Sequence, residues 1–310
     1  MSARTFRVGT RGSLLARTQT GQMLAALADA NPGVSFDEQV IRTSGDQDRR
    51  EVLGAFVREI QHALLEGTVD FGVHSLKDLP TAPVPGLVIA AMPRRQDPRD
   101  LLIAAGPLAS LPAGAVIGAG SLRRCHQMRL LRPDLAFKPL VGNVDTRLAK
   151  LSAGRYDGII LAAAALARLG LDGAIAQGSL EREGRTLAVQ ALTPDELLPA
   201  PGQGVLALEC REDRADVRET LGRVEDAGSR IAATCERALL SALGGGCRTP
   251  VGAYATVEGA ALTLHGFYAS EDGSRTARAS ATGPADEPEA LGALVALELQ
   301  RGLDASARPR

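Results

Sequence analysis

An Asp beside a Lys is the first pair of residues in the sequence that could do chemistry. The segment V-H-S-L-K-D-L-P spans residues 73–80 and contains Lys77 and Asp78, directly after a predicted strand. A carboxylate beside an ammonium group stays ionised at neutral pH, so it could stabilise a cationic intermediate or transfer protons. The alternative is an Asp at the start of a helix that pairs with its neighbour. Only three of the 35 basic residues are lysines, which gives Lys77 added weight.

A second group of residues indicates an anion site. Ser121 stands where a helix is predicted to begin, and Arg123 and Arg124 fall in its first turn. Cations in a first turn oppose the helix dipole at a cost of roughly 0.3–1 kcal/mol each, so we expect a compensating role. Backbone N–H groups and two guanidinium groups at a helix N-terminus can bind a carboxylate or a phosphate. The alternative is a solvated basic face, which Arg129 and Arg132 would continue.

The same arrangement recurs at other predicted strand–helix junctions. Arg11 and Ser13 follow the first predicted strand, and Arg147 and Arg155 lie near a later junction. In open α/β sheets, ligands bind beyond the carboxyl ends of the strands. Several arginines at these ends favour a small polyanionic ligand.

The four cysteines are dispersed and show no C-x-x-C spacing, which predicts neither a metal site nor disulfides. Cys125, Cys210 and Cys235 lie in apolar periodic segments, which favours packing roles. Cys247 follows three glycines in the segment L-G-G-G-C-R-T-P (243–250), which lacks the G-K-[ST] of a phosphate loop. An exposed thiol beside Arg248 could act as a thiolate nucleophile. The alternative is a turn with an incidental cysteine.

Composition excludes several classes of protein. The chain has 310 residues, of which 45% are hydrophobic and 23% are charged, as is typical of a globular protein. The net charge of −1 excludes the broad basic field of a non-specific nucleic-acid binder, although a local basic cleft is compatible with it. No apolar run predicts a transmembrane helix, and the N-terminus lacks the apolar core of a signal peptide. We therefore expect a cytoplasmic protein that binds neither nucleic acid nor membranes.

The hydrophobic pattern alternates between strands and helices, which predicts an α/β fold of parallel βαβ units. Strands are predicted near 5–11, 34–42, 69–74, 87–91, 101–104, 115–118, 136–140, 157–162 and 205–209. Helices are predicted near 14–30, 53–67, 121–131, 143–153 and 162–169, with a mobile loop at 43–51. Residues 171–195 are less regular and predict a surface hairpin or loop, and 214–243 is predicted to be helical. Three strands near 251–257, 261–269 and 275–281 and a helix near 288–302 predict a small C-terminal α+β domain.

Taken together, the motifs resemble those of the hydroxymethylbilane synthase family, also called the porphobilinogen deaminases. The matching segments occur in the family's order and span nearly the whole chain. They are T-R-G-S-L-L-A (10–16), V-H-S-L-K-D-L-P (73–80), D-P-R-D (97–100), S-L-R-R (121–124), G-N-V-D-T-R-L (142–148), Y-D-G-I-I-L-A (156–162), P-G-Q-G (201–204) and G-G-G-C-R-T-P-V-G (244–252). Each motif is modest alone, whereas the ordered set is highly specific.

The resemblance implies an enzyme with two α/β domains like those of periplasmic binding proteins and a small C-terminal α+β domain. The implied boundaries place 1–91 and 196–210 in the first domain, 92–195 in the second and 211–310 in the third. The implied reaction joins four porphobilinogen molecules head to tail, with loss of ammonia, and releases the linear tetrapyrrole hydroxymethylbilane. The family acts in porphyrin and heme biosynthesis, and we expect a monomer.

The resemblance also assigns roles to individual residues. Cys247 matches the residue that holds a dipyrromethane cofactor through a thioether, and Asp78 matches the catalytic carboxylate. The residues that match positions for binding the cofactor are Lys77, Ser75, Ser121, Arg123 and Arg124. Those that match positions for binding the substrate are Arg11, Ser13, Arg147, Arg168 and Gln203. No metal is implied.

The sequence departs from the family's pattern at several positions. The segment 43–56 is shorter than the usual lid, and Leu53 stands there where a lysine is common. Val141 stands where the family has an arginine, and Ala119 and Gly120 replace small hydroxyl residues. Because these changes remove anion-binding groups, one alternative is a degenerate relative that binds pyrroles without turnover. Another is a solute-binding or effector-binding protein of the same fold, although such a protein would not need the G-G-G-C loop.

Overall fold

The computed structural model describes residues 4–41, 57–246 and 249–306, which divide into two compact units. The first unit takes its residues from 1–96 and 205–230, and the second from 97–204 and 231–310. The predicted loop at 43–51, Leu53 and Cys247 all lie outside the described residues.

Strands and helices alternate through most of the described chain. The strands are β1 (Arg4–Arg11), β2 (Val34–Ile41), β3 (Phe71–Ser75), β4 (Leu87–Ala91), β5 (Asp100–Ala104), β6 (Val116–Gly118), β7 (Ala136–Lys138), β8 (Gly158–Ala162), β9 (Ser179–Arg182), β10 (Arg185–Leu192), β11 (Leu206–Arg211), β12 (Val251–Glu258), β13 (Ala261–Ala269) and β14 (Thr276–Pro284). The α-helices are α1 (Leu14–Ala30), α2 (Arg58–Leu65), α3 (Leu122–Leu131), α4 (Val144–Ser152), α5 (Ala163–Arg168), α6 (Asp172–Gln177), α7 (Ala215–Gly222), α8 (Ala227–Ala242) and α9 (Pro288–Ala305). Within the described residues, no helix is long and apolar enough to cross a bilayer.

The first unit is built on a five-stranded mixed sheet in the order β2-β1-β3-β11-β4. β1 runs parallel to β2 and β3, as the βαβ pattern predicts. β11 runs antiparallel to both β3 and β4, so the strand predicted near 205–209 returns to this sheet. The carboxyl ends of β1 and β3 therefore lie at one edge of the sheet.

Local sequence explains where α1 begins and how it is placed. Ser13 is its N-cap, and the Ser13 Oγ accepts a hydrogen bond from the Ala16 N–H at 3.3 Å. At the other end Asn31 follows the helix, and its Nδ2 donates to the Leu27 carbonyl at 2.8 Å. Met23 and Leu27 are buried in the core of the first unit. This packing holds the start of α1 directly after the end of β1, as predicted.

The second unit contains a six-stranded mixed sheet in the order β7-β6-β8-β5-β10-β9. β6 runs parallel to β7 and β8, whereas β5 runs antiparallel to β8 and β10. β5 and β8 are buried along their whole length. The predicted parallel pairs are therefore present in both large sheets, but each sheet also contains a strand that runs antiparallel to its neighbours, β11 in the first and β5 in the second.

The interpretation of residues 171–195 is only partly correct. A β9–β10 hairpin forms there, as expected, but β10 also pairs with β5 and extends the sheet. Leu187, Val189 and Leu192 of β10 are buried, so the hairpin belongs to the core and is not a surface feature. The segment 214–243 also differs in detail, since α7 and α8 are separate helices.

The chain ends in a three-stranded antiparallel sheet in the order β12-β13-β14. One face of this sheet packs against α9 and α8 through a cluster that includes Leu264, Leu239 and Leu299. Together with the two larger sheets, this arrangement confirms the predicted α/β fold with a small C-terminal α+β region. The three domain boundaries inferred from the sequence stay a prediction.

Candidate active site

Asp78 lies in a short turn that the buried end of β3 holds in place. Residues Leu76–Asp78 form one turn of 3-10 helix directly after this central strand. Leu76 is fully buried, and its N–H donates to the Val205 carbonyl at 3.0 Å. Lys77 and Asp78 remain partly exposed. A carboxylate on a turn anchored in this way can meet a ligand in a fixed position.

A buried polar cluster in β3 and its neighbours was not anticipated from the sequence. The Glu209 carboxylate of β11 accepts hydrogen bonds from the Gln61 Nε2 at 3.0 and 3.2 Å. The Nε2 of His74 in β3 lies 3.3 Å from the same carboxylate. These contacts join β3 to β11 and α2, so they fix the strand that directly precedes the turn with Asp78. The signal in the sequence was a Glu inside the apolar run L-A-L-E-C, because carboxylates are rarely buried without partners.

Arg11 and Ser13 lie at the same edge of the first sheet as Asp78, because β1 and β3 run parallel. Ser13 caps α1 with its hydroxyl. The Gln19 Nε2 of α1 lies 3.5 Å from the Ser75 Oγ at the end of β3. The structure thus brings the site residues predicted in the first unit to one edge of one sheet.

In the second unit, one carboxylate pairs with both arginines of the predicted anion site. The Arg123 Nη2 lies 2.8 Å from the Asp100 Oδ2, and the Arg124 Nη2 lies 2.6 Å from the Asp100 Oδ1. All three side chains are buried, Asp100 completely. The alternative of a solvated basic face is therefore wrong for Arg123 and Arg124. Arg129 is exposed on α3, and Arg132, which directly follows that helix, pairs with the exposed Asp134.

The cluster of Asp100, Arg123 and Arg124 carries two positive charges and one negative charge. The Arg123 Nη1 donates to the Leu198 carbonyl at 2.6 Å, and the Arg124 Nη1 donates to the Ile160 carbonyl at 3.1 Å. Burial lowers the pKa of Arg123, and the attraction of Asp100 offsets only part of this effect. Because charge is costly to bury without compensation, an excess positive charge here favours the binding of an anion.

Gln203 and Arg168 extend this cluster through the P-G-Q-G segment. The Gln203 Nε2 donates to the Asp100 Oδ1 at 3.1 Å and to the Pro98 carbonyl at 2.7 Å. Arg168 is buried at the end of α5, and its Nη2 donates to the Gly204 carbonyl at 2.8 Å. Burial lowers the pKa of Arg168 to about 10. The group therefore stays charged at neutral pH and adds to the positive potential of this region.

Ser121 and Arg147 lie at the carboxyl edge of the second sheet. Ser121 is the N-cap of α3, which follows β6, and its side chain makes no capping hydrogen bond. Arg147 belongs to α4, which follows β7, and its Nε donates to the Gly142 carbonyl at 2.6 Å. Because β6, β7 and β8 run parallel, the segments that follow them share one edge. Ligands of open α/β sheets bind at such an edge.

Asp100 is the residue of this site that sequence reasoning missed. Its motif, D-P-R-D, is one of the segments that carry the family resemblance, but the sequence analysis assigns no role to Asp100. The available signal was a carboxylate at the start of the apolar strand D-L-L-I-A.

The other three cysteines are poor nucleophiles in this structure. Cys125, Cys210 and Cys235 are all buried. Burial raises the pKa of Cys210 to about 11 and that of Cys235 to about 12, and it also raises the pKa of Cys125. Since the thiolate is the reactive form, these thiols are inert near neutral pH. This agrees with the packing roles that the sequence predicts.

Replacing Asp100 with Asn should destabilise the protein strongly, because it leaves two buried guanidinium groups without a carboxylate. Breaking a buried ion pair on one side typically costs about 3–5 kcal/mol, which corresponds to a fall in melting temperature of roughly 10 °C. Calorimetry of purified Asp100→Asn tests this. Asp134→Asn is the control, since it breaks an exposed pair with Arg132 and should barely change the melting temperature. Equal melting temperatures for the two variants would contradict the structural role of Asp100.

Comparison with known proteins identifies the family. The family model described as "Porphobilinogen deaminase, dipyromethane cofactor binding domain" matches residues 6–219, and "Porphobilinogen deaminase, C-terminal domain" matches residues 230–301. The chain is 46% identical over 303 residues to the porphobilinogen deaminase of Roseiflexus sp. (strain RS-1), covering 95% of each chain. It is 42% identical over 316 residues to that of Syntrophobacter fumaroxidans (strain DSM 10017 / MPOB), covering 99% of this chain and 97% of the relative.

A solved structure with a weaker similarity is that of the methionine-binding protein MetQ. It is 12% identical with a TM-score of 0.42, and the match covers 71% of this chain and 89% of that one. The two family models, by contrast, cover most of the chain, and the relatives match it along nearly its whole length. The chain belongs to the porphobilinogen deaminase family.

Proposed function

We propose that the chain joins four porphobilinogen molecules head to tail, releases ammonia and forms hydroxymethylbilane. The observation that carries the proposal is the buried cluster of Asp100, Arg123 and Arg124, which holds one more positive than negative charge. Porphobilinogen and its oligomers carry acetate and propionate groups, and guanidinium groups bind such carboxylates strongly. Membership of the family supports the same reaction.

The arginine-rich site of the second unit fits the carboxylates of a dipyrromethane cofactor. We assign carboxylate binding to Ser121, Arg123 and Arg124 in that unit, and to Ser75 and Lys77 in the first unit. Cys247 is the proposed point of covalent attachment. When bound, the cofactor supplies the pyrrole rings on which the product is assembled, and it is itself retained.

Asp78 is the proposed catalytic carboxylate. Loss of ammonia from porphobilinogen leaves a cation, and a fixed negative charge stabilises that cation as it forms. The same carboxylate can hold the proton of a pyrrole N–H. The anchored turn at Leu76–Asp78 supports this role, because a carboxylate already held in position needs no reorganisation during the reaction.

The remaining predicted residues are proposed to bind the substrate. Arg11 and Ser13 would act in the first unit, and Arg147, Arg168 and Gln203 in the second. Gln203 orients Asp100 through its hydrogen bond and so acts partly through the cluster. We further propose a cytoplasmic monomer of three domains, with the boundaries given above. The separate apolar core of the β12–β14 sheet supports a distinct third domain.

The intact mass of the purified, denatured protein tests the proposal. A covalent increment of two pyrrole units is expected, together with consumption of porphobilinogen and release of ammonia by the native protein. A protein of unmodified mass that consumes no porphobilinogen would contradict the proposal. A modified protein without turnover would identify the degenerate pyrrole-binding relative.

Val141→Arg should speed the later steps of elongation. Val141 is exposed after β7, and its carbonyl accepts a hydrogen bond from the Lys150 Nζ at 2.8 Å, so a long side chain fits without disturbing the core. A charge-assisted hydrogen bond to a carboxylate contributes roughly 1.5–3 kcal/mol. Because each added ring brings two carboxylates, the missing guanidinium should matter more as the product lengthens.

Mass spectrometry during turnover measures this effect as the population of partial adducts. We expect Val141→Arg to lower that population relative to the unsubstituted protein. Val141→Gln is the control, since it adds length without charge and should change the adducts little. Slower elongation in Val141→Arg would show that the site has adapted to valine.

A further inference from the structure

The outer face of the β12–β14 sheet carries a row of polar side chains that the proposed reaction does not use. The register places His265 of β13 opposite Tyr254 of β12 and opposite Ser280 of β14. The alternate residues Leu264 and Ala277 pack in the core against α9. Because side chains alternate between the faces of a strand, the row lies on the opposite face of the sheet.

A cavity of about 480 Å³ lies over this row. Its lining combines Tyr254, His265 and Ser280 with Pro194, Asp195 and Leu198 from the segment that precedes β11. Small-molecule sites usually have volumes of roughly 300–1,000 Å³, with apolar walls and a few converging polar groups. The cavity has a volume in this range, its lining is both polar and apolar, and it lies wholly within the second unit.

Arg278 of β14 supplies a positive charge to the same cavity. Its Nη1 donates to the Asp195 carbonyl at 2.8 Å, and its Nη2 lies 3.3 Å from the Gln127 Oε1. Its guanidinium carbon is 5.8 Å from the centroid of the Phe267 ring. Within the part of the chain that the structure describes, the hydrogen-bond acceptors of Arg278 are therefore neutral groups.

Two other arginines of the second unit pair with carboxylates instead. Arg99 pairs with Asp97 and Arg132 pairs with Asp134, each at 2.7 Å. The Asp195 carboxylate acts on Arg278 only as a longer-range charge, and desolvation of the guanidinium outweighs it and lowers the pKa of Arg278. A guanidinium that is partly removed from water and bound only by neutral acceptors gains from the addition of an anion.

We propose that this cavity binds a small carboxylate anion carried on a ring, with Arg278 as its charged contact. Tyr254, Ser280 and His265 also line the cavity and can donate hydrogen bonds to a carboxylate. Pro194 and Leu198 offer apolar surface to the ring, which favours such a ligand over inorganic phosphate. The site is separate from Asp100, Arg123 and Arg124, none of which lines the cavity.

His265 gives a local signal for the test, because the chain has only four histidines. The full-length protein is titrated with benzoate, and the imidazole Cε1–H resonance of His265 is followed by NMR. The resonance is assigned to His265 because it is absent from the spectrum of His265→Gln. We expect a saturable shift of this resonance in the unsubstituted protein. Arg278→Gln should weaken the binding by at least about tenfold, as expected for loss of a charged hydrogen bond.

Arg275→Gln is the matched control, because it removes the same charge next to β14 from a residue that does not line the cavity. It should bind benzoate as the unsubstituted protein does. Ser280→Ala serves as a second variant that leaves the packing around Arg278 in place, and it should weaken the binding about two- to tenfold, because it removes one hydrogen bond and no charge.

Two outcomes would overturn the proposal. In the first, benzoate does not shift the His265 resonance of the unsubstituted protein. In the second, benzoate shifts this resonance with the same affinity in Arg278→Gln as in the unsubstituted protein. A parallel titration with inorganic phosphate tests the class of ligand. Phosphate that binds as tightly as benzoate would overturn the assignment to a ring-borne carboxylate. Because the readout is not turnover, the result does not depend on the proposed reaction.

Discussion

Asp78→Asn is expected to lower the rate of porphobilinogen consumption by at least about 10²–10³-fold, the usual effect of removing a preorganised electrostatic group. Asn has nearly the same shape as Asp but no charge, so it cannot stabilise the cation that loss of ammonia leaves. The turn should keep its place, because the buried Leu76 and its hydrogen bond to the Val205 carbonyl anchor it. Initial rates measured together with melting temperatures distinguish a loss of catalysis from a loss of stability.

Asp172→Asn provides the matched control for this substitution. Asp172 lies exposed in the first turn of α6, so its replacement makes the same chemical change away from the proposed site. It should retain the full rate. Intact masses of both variants should show the same covalent increment, because Asp78 is not assigned to cofactor attachment. A near-normal kcat in Asp78→Asn would show that Asp78 is not a catalytic residue.

Cys247→Ser is expected to abolish turnover and to eliminate the covalent mass increment. A serine hydroxyl does not ionise near neutral pH, so it cannot replace a thiolate as the attacking group. Peptide mapping of the unsubstituted protein should place the adduct on Cys247. The matched control is Cys125→Ser, which alters a buried cysteine and should keep both the increment and the activity.

Alkylation of thiols gives an independent measurement of the same assignment. The raised pKa values of Cys210 and Cys235 keep both thiols protonated until the pH approaches about 11 or 12. At mildly alkaline pH, iodoacetamide should therefore find no fast-reacting cysteine in folded, cofactor-bearing protein and one in cofactor-free protein. A dipyrromethane adduct that maps to Cys125, Cys210 or Cys235 would refute the attachment of the cofactor at Cys247.

Local sequence patterns were sufficient to predict the strands and helices that carry the site residues. The strand predicted at 87–91 has the same bounds as β4, and Ser13 caps α1 as expected. Periodicity also placed α4 after its strand, because Leu148 and Leu151 are buried at a helical spacing, whereas α3 buries six consecutive residues, 123–128. These features depend on residues close together in the sequence, which is why they could be predicted.

Long-range partners could not be predicted in the same way. Nothing near S-L-R-R indicates that Arg123 and Arg124 turn towards Asp100, which begins a different strand. Glu209 and His74 likewise meet only because β11 returns beside β3. The pairing of β10 with β5 has the same origin, since strand order depends on distant segments and not on local alternation.

The position of β11 has a consequence for how the chain is made. β11 lies between β3 and β4, yet residues 97–204 are synthesised after β4 and before β11. A nascent chain that ends at residue 204 therefore has β3 and β4 but lacks the strand that hydrogen-bonds to both. The strands of the second sheet all lie between Asp100 and Leu192, so that sheet can form first. Because non-local pairing is slow, the part of the protein that the ribosome begins first is expected to finish folding later.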